Sequence, residues 1–164
     1  MSRIYFDTEF IEDGKTIDLL SIGLVRDDGA TYYAEPIEAD WSRADDWVAA
    51  NVIPSLSGPT ADPAVMKSRA MIAAEIVAFV GPEPEFWAYY ADYDWVALCQ
   101  LYGRMIDLPD GWPMFCRDLK QYAAERGIRT TQEGSVHNAL GDALWVKTTA
   151  ERLLAVDEPQ GSEI

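Results

Sequence analysis

Residues 17–25, IDLLSIGLV, form a nearly unbroken apolar run. A strand with one wet face alternates apolar and polar residues, whereas a strand covered on both faces is apolar at almost every position. The segment therefore belongs inside a sheet with material packed above and below it. Its neighbours extend the pattern. Residues 3–9 (RIYFDTE) read as a first strand. Arg26-Asp27-Asp28-Gly29 follows the apolar run, and Asp-Gly is a strong hairpin signal. Residues 30–35 (ATYYAE) then pair back as a third strand. The chain opens on an antiparallel three-strand meander rather than a βαβ unit.

The texture changes over residues 38–63, which hold Trp41, Trp47, several acids, Pro54, Pro59 and Pro63. Ser42-x-x-Asp45 has the spacing of a capping pair for a short helix. Ile72, Ile76, Phe79 and Val80 recur at helical spacing and predict a helix over 68–80, stopped by Gly81-Pro82. Residues 86–91 (FWAYYA) predict a fourth strand. A helix is expected over 94–105 with Leu98, Leu101, Tyr102 and Met105 inward, and a short fifth strand at 113–116. Asp118-x-x-Gln121 caps the next helix and Gly127 ends it. The last helix, 139–155, carries Ala139, Ala143, Val146, Ala150 and Leu153 on one stripe. The expected fold class is α/β: a mixed five-stranded sheet, meander first, flanked by helices. One domain spans residues 1–164, with a frayed tail over 156–164.

The 164 residues suffice for a single core, and 49% hydrophobic with 25% charged residues is ordinary for a soluble globular chain. No apolar run exceeds six residues (Phe86 to Ala91), too few to span a bilayer. The start, MSRIYFDTEF, has acids where a signal peptide carries apolar residues, so a cytoplasmic protein is expected. Cys99 and Cys116 stand in no metal-binding spacing. Thirteen Lys and Arg against 28 Asp and Glu leave a net charge of −15. That balance disfavours a protein that coats nucleic acid and one that docks on an anionic membrane. It remains compatible with an enzyme that grips phosphate through divalent cations.

Four carboxylates and the single histidine carry the chemical signal. Asp7 and Glu9 sit two apart on the first strand and share a face with Tyr5, while Ile4, Phe6 and Thr8 face the other way. Two adjacent carboxylates repel, and a hard divalent cation such as Mg²⁺ compensates both. Taken alone, the pair fits equally a frayed strand whose acids reach water. Asp94 stands where a strand gives way to a helix and is by itself an N-cap candidate, with Asp92 competing for any other role. His137 and Asp142 are five residues apart and cannot share a helical face. They converge only if His137 lies in the loop before the last helix and Asp142 in its first turns, at the edge of the alanine stripe and facing the sheet.

The order of these signals is more specific than any of them. F-D-T-E-F on the first strand, Y-D-x-x-A-L at Tyr93–Leu98 and H-N-A-L-G-D at His137–Asp142 resemble the three motifs of the DEDDh 3′–5′ exonucleases of RNase H-like fold. The resemblance covers residues 3–155. The D-T-E-F start looks most like the small bacterial polyadenylate-specific 3′-exoribonuclease AS group, relatives of RNase T. Two positions depart from the usual pattern: Phe10 follows the first motif in place of Thr or Ala, and Tyr93 replaces a Phe. The second motif fits from Asp94 and not from Asp92. The resemblance implies a phosphodiester hydrolase that releases 5′-mononucleotides from single-stranded RNA 3′ ends with two Mg²⁺ ions, Mn²⁺ substituting. Asp7 would bridge the ions, Glu9 and Asp142 hold the one that activates water, and Asp94 support the second. His137 would take the proton from the attacking water.

For substrate contact, Phe10 is the first candidate wall against the terminal nucleotide, with Glu9 and His137 beside it and Trp95 and Trp41 as weaker stacking candidates. Arg104, Arg117, Lys120, Arg126 and Arg129 either bind the RNA backbone or balance charge. A homodimer would lend further basic residues. Two rival readings stand: a DEDDh exonuclease acting on DNA, and an inactive acidic scaffold, against which the full set of Asp7, Glu9, Asp94, His137 and Asp142 speaks.

Overall fold

The computed structural model describes residues 2–57, 62–132 and 137–157. The meander forms as expected. β1 (Arg3–Glu12) pairs antiparallel with β2 (Ile17–Arg26), and β2 with β3 (Thr31–Pro36). Gly29 takes the left-handed φ of 87° that the β2–β3 turn needs. Then come α1 (Asp46–Asn51), β4 (Met66–Lys67), α2 (Arg69–Val80), β5 (Glu85–Ala88), α3 (Asp92–Gln100), β6 (Arg117–Asp118), α4 (Leu119–Glu125) and α5 (Ala139–Asp157). The sheet has six strands in the order β4-β3-β2-β1-β5-β6, with β5 parallel to β1 and β6 parallel to β5.

Three expectations shift. The sheet gains β4, a two-residue pairing with the end of β3 that has no periodicity to read. The strand expected at 113–116 is β6, later by several residues. The helix expected over 94–105 starts at Asp92 and ends at Gln100, so Met105 falls in a 3₁₀ turn and is exposed rather than inward. Asp45, not Ser42, caps α1 by accepting from the Val48 N–H at 2.7 Å. Asp118 caps α4 as expected, accepting from Gln121 at 2.9 Å. Most of the expected frayed tail lies outside the described residues.

The double-sided burial of β2 has a physical partner on each face. Ile22 and Leu24 join Ile4, Phe6, Phe86 and the α2 residues Ile72, Ile76 and Val80 on one side. Val25 joins Tyr5, Trp87 and the α5 stripe of Ala143, Val146 and Ala150 on the other. A third cluster, Ile11 and Leu20 with Val48 and Val52 of α1, caps the far end of the hairpin. It exists because β2 bulges: Glu9 pairs with Ser21 but Phe10 with Leu19, leaving Leu20 without a partner on β1. An extra residue reverses which face each later side chain meets.

Gly23 sets how closely α5 can approach. A Cβ there would lie 2.4 Å from the Leu140 nitrogen and 2.5 Å from the Ala139 carbonyl carbon and oxygen. These are backbone atoms that cannot rotate away. Gly23→Ala should therefore cost about 1–3 kcal/mol through forced separation of α5 from the sheet, measured by urea denaturation. A midpoint equal to that of the native protein would show that the helix is free to retreat.

Candidate active site

Asp7 pairs across the ladder with Gly23, so the missing side chain stands directly beside the first carboxylate. The amino end of α5 settles into this gap, bringing Asp142 from its first turn and His137 from the loop before it. Oxygens of Asp7, Glu9 and Asp142 all lie within 4.8 Å of one another. They sit in a cavity of about 600 Å³ that is also lined by Asp94, His137 and Phe10. The loop placement of His137 and the sheet-facing placement of Asp142 are as expected from their spacing.

Asp94 reaches the cavity from α3. The helix starts two residues earlier than expected, so Asp94 is not its cap. The Ala91 N–H at that end is served by Asp118 at 2.8 Å. Thr8, on the opposite face of β1 from Asp7 and Glu9, donates to Asp94 Oδ1 from its hydroxyl at 2.5 Å and its backbone N–H at 2.9 Å. Oδ2 of Asp94 accepts no hydrogen bond among the described residues.

The histidine is held by neighbours that spacing alone did not reveal. His137 has a left-handed backbone, φ 47°. Ser55 donates to its carbonyl at 2.6 Å. The Trp47 ring meets the imidazole edge-on, centroids 4.9 Å apart. The segment carrying Ser55 is tied to the sheet by Glu35, a buried carboxylate that accepts from the Ser57 N–H at 2.9 Å and the Tyr33 hydroxyl at 2.7 Å. Gln132 donates to Asp142 Oδ1 at 2.5 Å. Trp47, Tyr89, Tyr90 and Gln132 line the cavity and were not singled out in the sequence; contacts this long-range leave no local signal.

Two aromatic expectations are corrected. Trp95 packs in the core against Phe6 and Phe86, at centroid distances of 6.4 and 5.3 Å, and does not line the cavity. Trp41 packs on the cluster of Ile11, Leu20 and Val48. Of the basic residues, Arg104 pairs with Asp107, Arg117 with Glu85, and Arg126 with Glu125 while lying over the Tyr122 ring. Each of these three is therefore paired with an acid on the surface.

The carboxylates are held at an electrostatic cost. Burial, then Asp94, Glu9 and Asp142, raises the Asp7 carboxyl well above the usual range. Burial, then Asp142 and Asp94, pushes Glu9 up to about 8. Burial pushes Asp94 up to about 7, against the opposing pull of the two Thr8 bonds, with Asp118 and Asp142 adding to the rise. No Lys or Arg pairs with Asp7, Glu9 or Asp94 among the described residues. Converging hard oxygens without a protein cation are a donor set that suits a small divalent metal ion.

Residues 2–154 match the family described as the 3′-5′ exoribonuclease Rv2179c-like domain. The chain belongs to this family. It is 44% identical over 147 residues to the 3′-5′ exoribonuclease Rv2179c of Mycobacterium tuberculosis, covering 86% of each chain. Its fold is that of RNase H-like exonucleases. The zinc-bound E. coli exonuclease I–single-stranded DNA complex superposes with a TM-score of 0.66 at 13% identity over 97% of this chain. E. coli exonuclease I with a dT13 oligonucleotide gives 0.62 at 16% over 95%. The chain spans 41% of the length of each of those structures. No helix among the described residues is long and apolar enough to cross a membrane.

Raised carboxylate pKa values mean that the folded protein binds more protons than the unfolded chain between about pH 4.5 and about 8. Without divalent ions, stability should fall as pH rises through that window. Asp7→Asn should raise the metal-free stability at pH 8 by about 1–3 kcal/mol. Urea melts in chelator at pH 5 and pH 8 check both; stability rising with pH would contradict the described clustering.

Proposed function

We propose that the chain is a divalent-metal-dependent 3′–5′ exoribonuclease that removes 5′-mononucleotides from single-stranded RNA ends. The observation that carries the reading is the convergence of Asp7, Glu9 and Asp142 in one cavity with Asp94 and His137 on its walls. Family membership supports the reaction class. The first two acids come from an interior strand of the sheet, an element that holds side chains more precisely than a loop does.

Asp7, Glu9 and Asp142 would hold the metal, Mg²⁺ by donor chemistry with Mn²⁺ as a substitute, and Asp94 would support a second ion. Bound divalent cations supply a water of lowered pKa and neutralise charge on the scissile phosphate. His137, held by Ser55 and Trp47, accepts the proton of the attacking water. The bond to the 3′-oxygen of the penultimate nucleotide breaks, and the terminal residue leaves as a 5′-mononucleotide. Phe10, with Tyr93 edge-on to it at 5.8 Å, offers a wall for the terminal nucleotide. RNA is favoured over DNA because relatives 44% identical to this chain are named 3′-5′ exoribonucleases.

Purified protein with Mg²⁺ should shorten a 5′-labelled single-stranded RNA stepwise, and a matched DNA oligonucleotide more slowly. Asp7→Asn and Asp142→Asn should abolish the activity. His137→Ala should lower kcat about 10²- to 10⁴-fold. Cleavage of a circular RNA, or full turnover by Asp7→Asn, would overturn the reading.

A further inference from the structure

The half-buried cations of this acidic chain are matched by acids: Arg26 with Asp28, Lys67 with Glu75, Arg69 with Asp18 and Lys147 with Glu151. Lys120 is the exception. It is half-buried in the first turn of α4, yet no carboxylate lies within 4.0 Å of it among the described residues. Its ammonium instead stands 5.8 Å from the centroid of the Tyr90 ring.

Tyr90 is unusual in its own right. It lines the acidic cavity and is 63% exposed. Its φ of 56° is left-handed, which is costly for a residue with a Cβ. Residues held in such conformations cluster at ligand sites. Core packing does not explain the arrangement: Tyr89 takes the inward place, edge-on to Trp145 and bonded to the Thr130 carbonyl at 3.1 Å. The strained turn presents the Tyr90 ring to the cleft.

The position along the cleft follows from register. Tyr5 pairs with Trp87, so Tyr89 and Tyr90 leave the sheet level with Asp7 and Thr8. Phe10 and Glu12 line the cavity further along β1. The carboxylates thus stand between Phe10 and Tyr90, and on the Tyr90 side the half-buried Lys120 has no carboxylate partner among the described residues.

We propose that Tyr90 and Lys120 form a subsite for the RNA strand immediately upstream of the scissile phosphate, with Tyr90 stacking on a base or sugar and Lys120 neutralising a backbone phosphate. The proposal rests on the exoribonuclease reading above and extends it to strand binding. One cation with one stacking face also suits a chain of net charge −15. It implies a short grip on the strand, with a weak salt dependence on the order of −1 to −3 in log–log slope.

The test is the affinity of a single-stranded RNA hexamer for the His137→Ala protein in saturating Ca²⁺, across a salt series. Lys120→Met should raise Kd roughly 2- to 5-fold at low salt and make the slope shallower by about 0.7, the signature of one phosphate contact. Lys15→Met, which removes the same charge from the exposed β1–β2 turn, should change neither. Tyr90→Phe should retain affinity. Tyr90→Gly should weaken it about 5- to 150-fold while raising Tm by about 2–4 °C, because glycine relieves the left-handed backbone. A purely structural tyrosine would not give a more stable, weaker-binding protein. Unchanged Kd in both Lys120→Met and Tyr90→Gly, or an equal loss in Lys15→Met, overturns the subsite. If the protein with native His137 fails to degrade RNA in Mg²⁺, the exoribonuclease reading fails instead, so the two failures are distinguishable.

Discussion

Backbone meets backbone where α5 crosses β2 at Gly23, and the site is organised by that approach. Any side chain at Gly23 would hold the Ala139–Leu140 peptide away from the sheet. The same helix buries Ala143, Val146 and Ala150 against Tyr5, Val25 and Trp87. The small residues on that stripe continue along the helix what the glycine allows at its start. Asp142 therefore arrives beside Asp7 and Glu9 as a consequence of core packing, and hydrophobic burial holds together charges that repel one another.

That repulsion is the counterpart of a donor set suited to a divalent cation. Asp7, Glu9 and Asp94 all resist ionisation because they are enclosed by protein and by one another. Among the described residues no basic side chain pairs with them, although cations are matched to acids elsewhere on the surface. Thr8 commits one oxygen of Asp94 and Gln132 one oxygen of Asp142, which restricts how these carboxylates can turn. The histidine is restrained by different means, a hydroxyl on its carbonyl and an indole against its ring. Glu35 extends this support to the third strand of the sheet, which gives a buried acid outside the acidic cluster a structural purpose.

Family membership also bears on the charge. A net charge of −15 is opposite in sign to that of an electrostatic nucleic-acid binder, yet the chain belongs to a family of 3′–5′ exoribonuclease domains. The conflict disappears if the strand end is gripped by metal ions, ring faces and very few cations. An extended basic track is needed to hold many phosphates, but not to process one terminal nucleotide at a time.

Local chemistry in the sequence sufficed for much of the fold. The apolar run at 17–25 placed β2 in the sheet, Asp28-Gly29 turned it, and Asp118-x-x-Gln121 started α4, because burial pattern, turn and cap each depend on residues a few positions apart. The placement of Asp7, Glu9, Asp142 and His137 was legible for a similar reason: strand period and helix pitch dictate facing within one element, whereas Asp94 was singled out only by the motif it belongs to. Other features depended on distant partners. The bulge at Leu20, the two-residue β4, the shortened α3, the core position of Trp95 and the clamp of Ser55 and Trp47 on His137 arise from contacts between remote segments. Glu9 and Ser21 face each other in one register while Phe10 and Leu19 follow another, and no single segment encodes that slip. The sequence by itself determined which groups could do the chemistry. The tertiary structure alone decided how near they stand, because that distance is set by two backbones meeting at a residue without a side chain.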